Sequence, residues 1–175
     1  DRETSGCLLV ARTRAALRSA HALLREVEVE KHYTALVAGR WRIGRKTIDA
    51  PVMTNARQGG ERVVRVHRAG KIAVSVFAPL KHFRDVATLM DVAIHTGLTH
   101  QIRVHAAFAS HPVAGDEKYG DRDANTALRA FGLRRMFLHA ASIAFRWPDG
   151  GAFRAEAKLP ADLQAVLARL GERSD

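Results

Sequence analysis

Residues 96–121, TGLTHQIRVHAAFASHPVAGDEKYGD, hold one arginine, three histidines and a turn before Pro112 in a short span of an otherwise ordinary sequence. Two other segments carry reactive groups beside predicted strand ends. Asp1-Arg2-Glu3-Thr4-Ser5-Gly6 leads into one, and Lys31-His32-Tyr33 opens another. Thr99-His100-Gln101-Ile102-Arg103 opens a predicted helix. A carboxylate (Asp1), a phenol (Tyr33) and a guanidinium (Arg103) from these segments can share one cleft. Such a carboxylate serves as nucleophile or base only when ionised. Burial opposes ionisation and an adjacent guanidinium restores it. Arg103 is the expected counter-charge of Asp1, and its planar fork suits a carboxylate better than a lysine does. A structural ion pair and a strand tyrosine in core packing are the competing readings of the same residues.

Other chemistries find less support. Nine histidines invite a metal, but His100 and His105 are five residues apart, about 140° around a helix, whereas a zinc pair needs i, i+4 spacing. No Gly-rich phosphate loop and no G-x-S-x-G elbow is present. Cys7, the single cysteine, sits in the apolar run CLLVA and is expected to pack as a small core residue. One cysteine forms no internal disulfide, which points to a reducing compartment.

The pattern of apolar residues predicts a strand over 6–12. A helix capped by Thr13 should follow, with Leu17, Ala20, Leu24 and Val27 on one face. Strands are expected at 31–39, 46–53 and 61–67, the last two around Gly59-Gly60, and then as a long antiparallel pair at 71–83 and 85–95. Thr99 should cap a helix that runs to about Ser110 and stops at His111-Pro112. Asp116, Tyr119 and Gly120 are expected to shape the loop that follows. A short helix over 123–131 ends at Gly132. Strands at 136–147 and 153–158 flank a turn at 148–150, and Pro160 opens a last helix carrying Leu163, Val166, Leu167 and Leu170. This predicts an α+β fold with a central mixed, mostly antiparallel sheet flanked by helices, in a single domain over 1–175. No apolar run approaches the ~20 residues of a membrane helix.

The net charge of +10 over 175 residues favours a polyanionic partner, nucleic acid first. Lys31, Arg40, Arg42, Arg45, Lys46, Arg62, Arg65 and Arg68 are the expected phosphate contacts. With 6% aromatics, a wide stacking platform for single strands is not expected.

Three ordered segments, DRETSGCLLVAR, EKHYTALVAGRW and THQIRVHAAFASHPVAGDEKYGD, together with FLHAA at 137–141, resemble the signature segments of the RluA-type RNA pseudouridine synthases. The resemblance runs across nearly the whole chain. It implies a pseudouridine synthase fold and a cofactor-free, metal-free isomerisation of uridine to pseudouridine in RNA, most similar to members acting on 23S ribosomal RNA in the bacterial cytoplasm. It implies catalytic roles for Asp1, Tyr33 and Arg103, with Tyr33 offering a flat face for uracil and a phenol for proton removal from C5. Candidate RNA contacts are Arg2, Lys31, Arg40, His100 and Gln101. For His100 and Gln101, helix capping or packing is the competing role. Leu98 stands where the family pattern has an arginine, and the family's H-R-L before the aspartate lies outside this sequence. The resemblance further implies a monomer and an upstream S4-type RNA-binding domain. A basic domain that only binds RNA, and a hydrolase using Asp1, are the alternatives from other classes.

Overall fold

Consecutive apolar residues pointing to opposite faces let one strand feed two cores, and this organises the computed structural model, which describes residues 1–25, 29–58, 61–147 and 150–172. The strand is β2 (Glu30–Ala38). It lies at the centre of a seven-stranded sheet, between β7 (Ala87–Ile94) and β8 (Leu138–Arg146), antiparallel to both. Beyond β7 follow β6 (Val74–Phe83) and β3 (Lys46–Asp49), also antiparallel. Beyond β8, the parallel β1 (Ser5–Gly6) and the antiparallel β9 (Ala152–Glu156) share one edge. A separate hairpin pairs β4 (Val52–Gln58) with β5 (Glu61–Val66). The α+β reading with a mixed, mostly antiparallel sheet holds.

Successive residues of a strand point to opposite faces. Ala35 and Val37, with Tyr33 against them, pack with Met90, Val92 and Ile94 under α2 (Gln101–Phe108), which contributes Ile102 and Ala106. Leu36 points the other way. It joins Phe137, Leu128 of α3 (Arg122–Arg129), and Leu163, Val166 and Leu170 of α4 (Ala161–Glu172). Asp121 caps α3 by accepting from the Ala124 amide at 2.8 Å. Thr13 caps α1 (Arg14–Arg25), its Oγ1 3.1 Å from the Ala16 amide. Val27, Gly59-Gly60 and Pro148-Asp149 lie outside the described residues.

Two expectations are corrected. The strand over 6–12 shrinks to Ser5–Gly6, and Leu8 and Val10 are 85% and 72% exposed. The last ladder bond runs from the Cys7 amide to the Ala140 carbonyl. From Ser142 onward β9 occupies the same edge of β8, so the chain past Cys7 has no partner there. Gly6, at φ +108°, lies so close to Ala140 that a Cβ would strike its carbonyl. Only glycine combines that backbone with that approach. Second, Thr99 does not cap α2. The N-cap is His100, in the left-handed region (φ 56°, ψ 16°) with no side-chain cap bond. Gln101 turns its Oε1 back to the Leu98 amide, 3.1 Å away, and so ties the preceding turn to the helix start. The helix stops where Ser110 turns left-handed (φ 64°) and the Ser110 and His111 amides close onto Ala107 and Ala106, a Schellman ending.

Candidate active site

Sheet register brings the first segment to the second. Ala140 of β8 is the partner of both Gly6 and Tyr33, so the chain entering β1 runs beside the Tyr33 end of β2. The turn after β7 then delivers α2. Asp1, Thr4, Tyr33, Gly97, Leu98 and His100 line one cavity of about 290 Å³, near the lower end of small-ligand pockets at roughly 300 Å³. A larger groove of about 630 Å³ follows the outer ends of β2, β7, β8 and β9 and contains Lys31, His95, Arg146 and Arg154. Asp1 and Tyr33 line the smaller cavity and not this groove.

Two side chains of the α2 entrance grip the Asp1 carboxylate. His100 Nε2 is 3.2 Å from Oδ1, and Arg103 Nη1 is 3.6 Å from Oδ2. The Asp1 side chain is 13% exposed and that of Arg103 8%. Arg103 is the counter-charge of Asp1, as its residue type suggests, but its main partner is another carboxylate. Its Nε donates to Asp116 Oδ2 at 2.7 Å and its Nη2 to Asp116 Oδ1 at 2.8 Å. Asp116 is fully buried. Its Oδ1 also accepts from the Lys118 and Tyr119 amides. Burial pushes its carboxyl up, yet the Arg103 hydrogen bonds, the two amides and the Arg103 charge outweigh this and hold it below the usual carboxylate range. Burial likewise acts to lower Arg103, and Asp116 more than reverses it. Reading Asp116 and Tyr119 as loop-shaping residues therefore misses half of the cluster. The available signal is their i, i+3 spacing, which puts both on one side of the tight turn that ends at Gly120.

Tyr33 meets Asp1 across the cavity. Burial, then the neighbouring Cys7, pushes its phenol up, so it stays protonated at neutral pH. This favours stacking and hydrogen bonding over a preformed phenolate base.

The remaining sequence candidates separate. Arg2 is exposed beside Asp1. Lys31 is 8% exposed at the edge of the larger groove, and burial lowers its pKa. Arg40 is exposed past the far end of β2, roughly 20 Å along the strand from Tyr33. Gln101 is buried and fully used: Oε1 accepts from Thr96 Oγ1 and the Leu98 amide, and Nε2 donates to the Val74 carbonyl and Ser75 Oγ. Leu98 packs toward Val64 and Val104. Arg42 is exposed and pairs with Asp85, while the Arg62 side chain lies outside the described residues. Among the described residues no three His, Cys, Asp or Glu side chains form a metal-ligating group. His105 instead donates from Nε2 to the Ala50 carbonyl and accepts from Ser75 Oγ at Nδ1. No described helix is long and apolar enough to cross a membrane.

Residues 1–108 match the RNA pseudouridylate synthase family, and the chain belongs to that family. It is 45% identical over 99% of its length to the ribosomal large subunit pseudouridine synthase C of Pasteurella multocida, and 47% identical over 97% to that of Yersinia pestis. The chain covers 53% of each, about half the length of these curated relatives. Among solved structures it is similar to human RNA pseudouridylate synthase domain containing 1, with a TM-score of 0.79 and 27% identity, covering 99% of this chain and 77% of that one. Human RNA pseudouridylate synthase domain containing 4 shares the fold at a TM-score of 0.72 and 24% identity, covering 91% of this chain and 69% of that one.

Proposed function

We propose that the chain is the catalytic domain of an enzyme that isomerises uridine to pseudouridine in RNA, with 23S ribosomal RNA of the bacterial cytoplasm as its substrate. The observation that carries this is the Asp1 carboxylate, gripped by Arg103 and His100, on the wall of a cavity that Tyr33 shares. The reading extends to a single domain over 1–175 that acts as a monomer, with an S4-type RNA-binding domain in the whole protein.

The reaction breaks the bond between ribose C1′ and uracil N1, turns the base and joins C1′ to C5. The C5 proton leaves and N1 gains one, so nothing is oxidised and no co-reactant is consumed. Asp1 acts as nucleophile or as base toward the sugar, and both routes need it ionised. Arg103 stabilises that form. Tyr33 offers its ring to the detached uracil. The target uridine leaves its stack to enter, at a cost of a few kcal/mol that loops and irregular helices reduce. Lys31, Arg146 and Arg154 along the adjoining groove suit the phosphates of the flanking strand.

The test is tritium release from RNA labelled at uridine C5. Asp1→Asn is expected to abolish release while RNA affinity changes less than about threefold. A variant that still forms pseudouridine removes Asp1 from the mechanism. A wild-type chain that binds RNA without releasing tritium supports the binding-only reading instead.

A further inference from the structure

His100 is tied at both ring nitrogens. Nε2 faces Asp1 Oδ1 at 3.2 Å, and Nδ1 lies 2.8 Å from the Tyr119 hydroxyl. That hydroxyl accepts from the Val64 amide of β5 at 3.2 Å. A phenol has one hydrogen, and with the amide donating to its oxygen that hydrogen is available to Nδ1. At the other end only an N–H can face a carboxylate without repulsion. Both ends of the ring therefore select the Nε2–H tautomer. Tyr119 belongs to the turn whose Asp116 binds Arg103, and its own amide donates to Asp116 Oδ1. The Asp116 carbonyl in turn accepts from Asn125 Nδ2.

We propose that the Asp116–Tyr119 turn is the positioning unit of the site: Tyr119 holds His100 as the neutral Nε2–H donor to Asp1, while Asp116 holds Arg103 with one nitrogen left for the same carboxylate. This deepens the pseudouridine synthase reading and rests on it. Each oxygen of Asp1 then faces one nitrogen braced by a residue of a four-residue turn, and Thr4 Oγ1 adds a hydrogen bond to Oδ2 at 3.4 Å. His100 thereby orients Asp1 without adding a second full positive charge beside Arg103.

The groups facing His100 agree with a neutral ring. Burial disfavours its charged form, as do Arg103 of α2 and Lys118 of the turn, and Asp116 only partly opposes them. The Asp1 carboxylate is the remaining acidic neighbour, and it is already paired with Arg103.

The test is 15N NMR of the imidazoles in the full chain, which needs no RNA. His100 is expected as the Nε2–H tautomer, neutral to well below the ordinary histidine value of about 6.5. Tyr119→Phe should raise its pKa, because Nδ1 loses the donor that competes with a proton. The same variant should lower single-turnover tritium release about tenfold at unchanged RNA affinity. An Nδ1–H tautomer in the wild type, an unmoved His100 titration in Tyr119→Phe, or an undiminished rate overturns the proposal. If Tyr119→Phe does not fold, the wild-type tautomer decides alone. A wild-type chain that releases no tritium defeats the functional reading while leaving the tautomer result to stand.

Discussion

Arg103 spends two of its three nitrogens on Asp116 and turns only Nη1 to Asp1. The arginine is thus fixed before any substrate arrives, and its reach to Asp1 is set by a carboxylate thirteen residues further along the chain. A guanidinium held by a bidentate bond has lost its rotational freedom in advance, which is the form of preorganisation an electrostatic site requires.

Asp116→Asn should therefore damage both the fold and the site. Removing the Asp116 charge leaves the buried guanidinium only its 3.6 Å contact with Asp1, at a cost of up to about 3–5 kcal/mol. Urea unfolding at neutral pH measures this loss. Because the folded-state pKa of Asp116 is depressed, its contribution is present above the unfolded value of about 3.9 and disappears as pH falls through the folded value. The difference between wild type and variant should therefore narrow only in strong acid.

Arg103→Lys keeps the charge and loses the fork. An ammonium on a flexible stem cannot make the parallel bonds to Asp116 and still face Asp1. Single-turnover tritium release should fall about 100-fold or more, equivalent to roughly 3 kcal/mol. Near-wild-type turnover would remove the arginine from its bridging role.

Gln101→Ala should act on stability rather than on RNA binding. The four hydrogen bonds of the side chain all stay within the protein. Its loss strands the Leu98 amide, at about 1–3 kcal/mol, while the Val74 carbonyl keeps the His95 amide. The salt dependence of RNA affinity, a count of phosphate contacts, should not change; a shallower slope in the variant would make Gln101 an RNA contact.

Two histidines, the α2 N-cap His100 and His105 within the helix, should make the fold acid-sensitive. His105 is buried between Ser75 and Ala50, and burial lowers its pKa against the opposing effects of the Ala50 carbonyl and Asp49. His100 is lowered as well. Both take up protons more readily unfolded than folded, so the stability they contribute is complete above about 6.5 and is lost as pH falls through their folded values. The urea midpoint should drop from about pH 7.5 to about pH 5, and His105→Gln should flatten that slope. A midpoint constant over this range refutes the assignment.

Much of the fold is legible along the chain because its signals are local. The alternation in 31–39 and 85–95, the Thr13 cap, and the apolar face Leu163, Val166 and Leu170 all act within one element. The strand expected over 6–12 fails for a nonlocal reason. CLLVA has strand chemistry, but the edge it would join belongs to β9, some 145 residues away in sequence. Thr99 fails as a cap because the N-cap position falls one residue later, on the left-handed His100.

The sequence by itself determined which groups are available: a carboxylate at Asp1, a phenol at Tyr33, a guanidinium at Arg103, a strongly basic surface and the alternating patterns that build the sheet. Tertiary structure decided how those groups are paired. Residue types say that an arginine can serve a carboxylate, not which of two carboxylates receives its bidentate face. That choice shows in contacts of 2.7 Å to Asp116 against 3.6 Å to Asp1, set where the α2 entrance meets the turn at 116–119 and where the shared partner Ala140 brings Gly6 alongside Tyr33. Coulomb and hydrogen-bond energies depend on those distances and on burial, and both are properties of the packed chain.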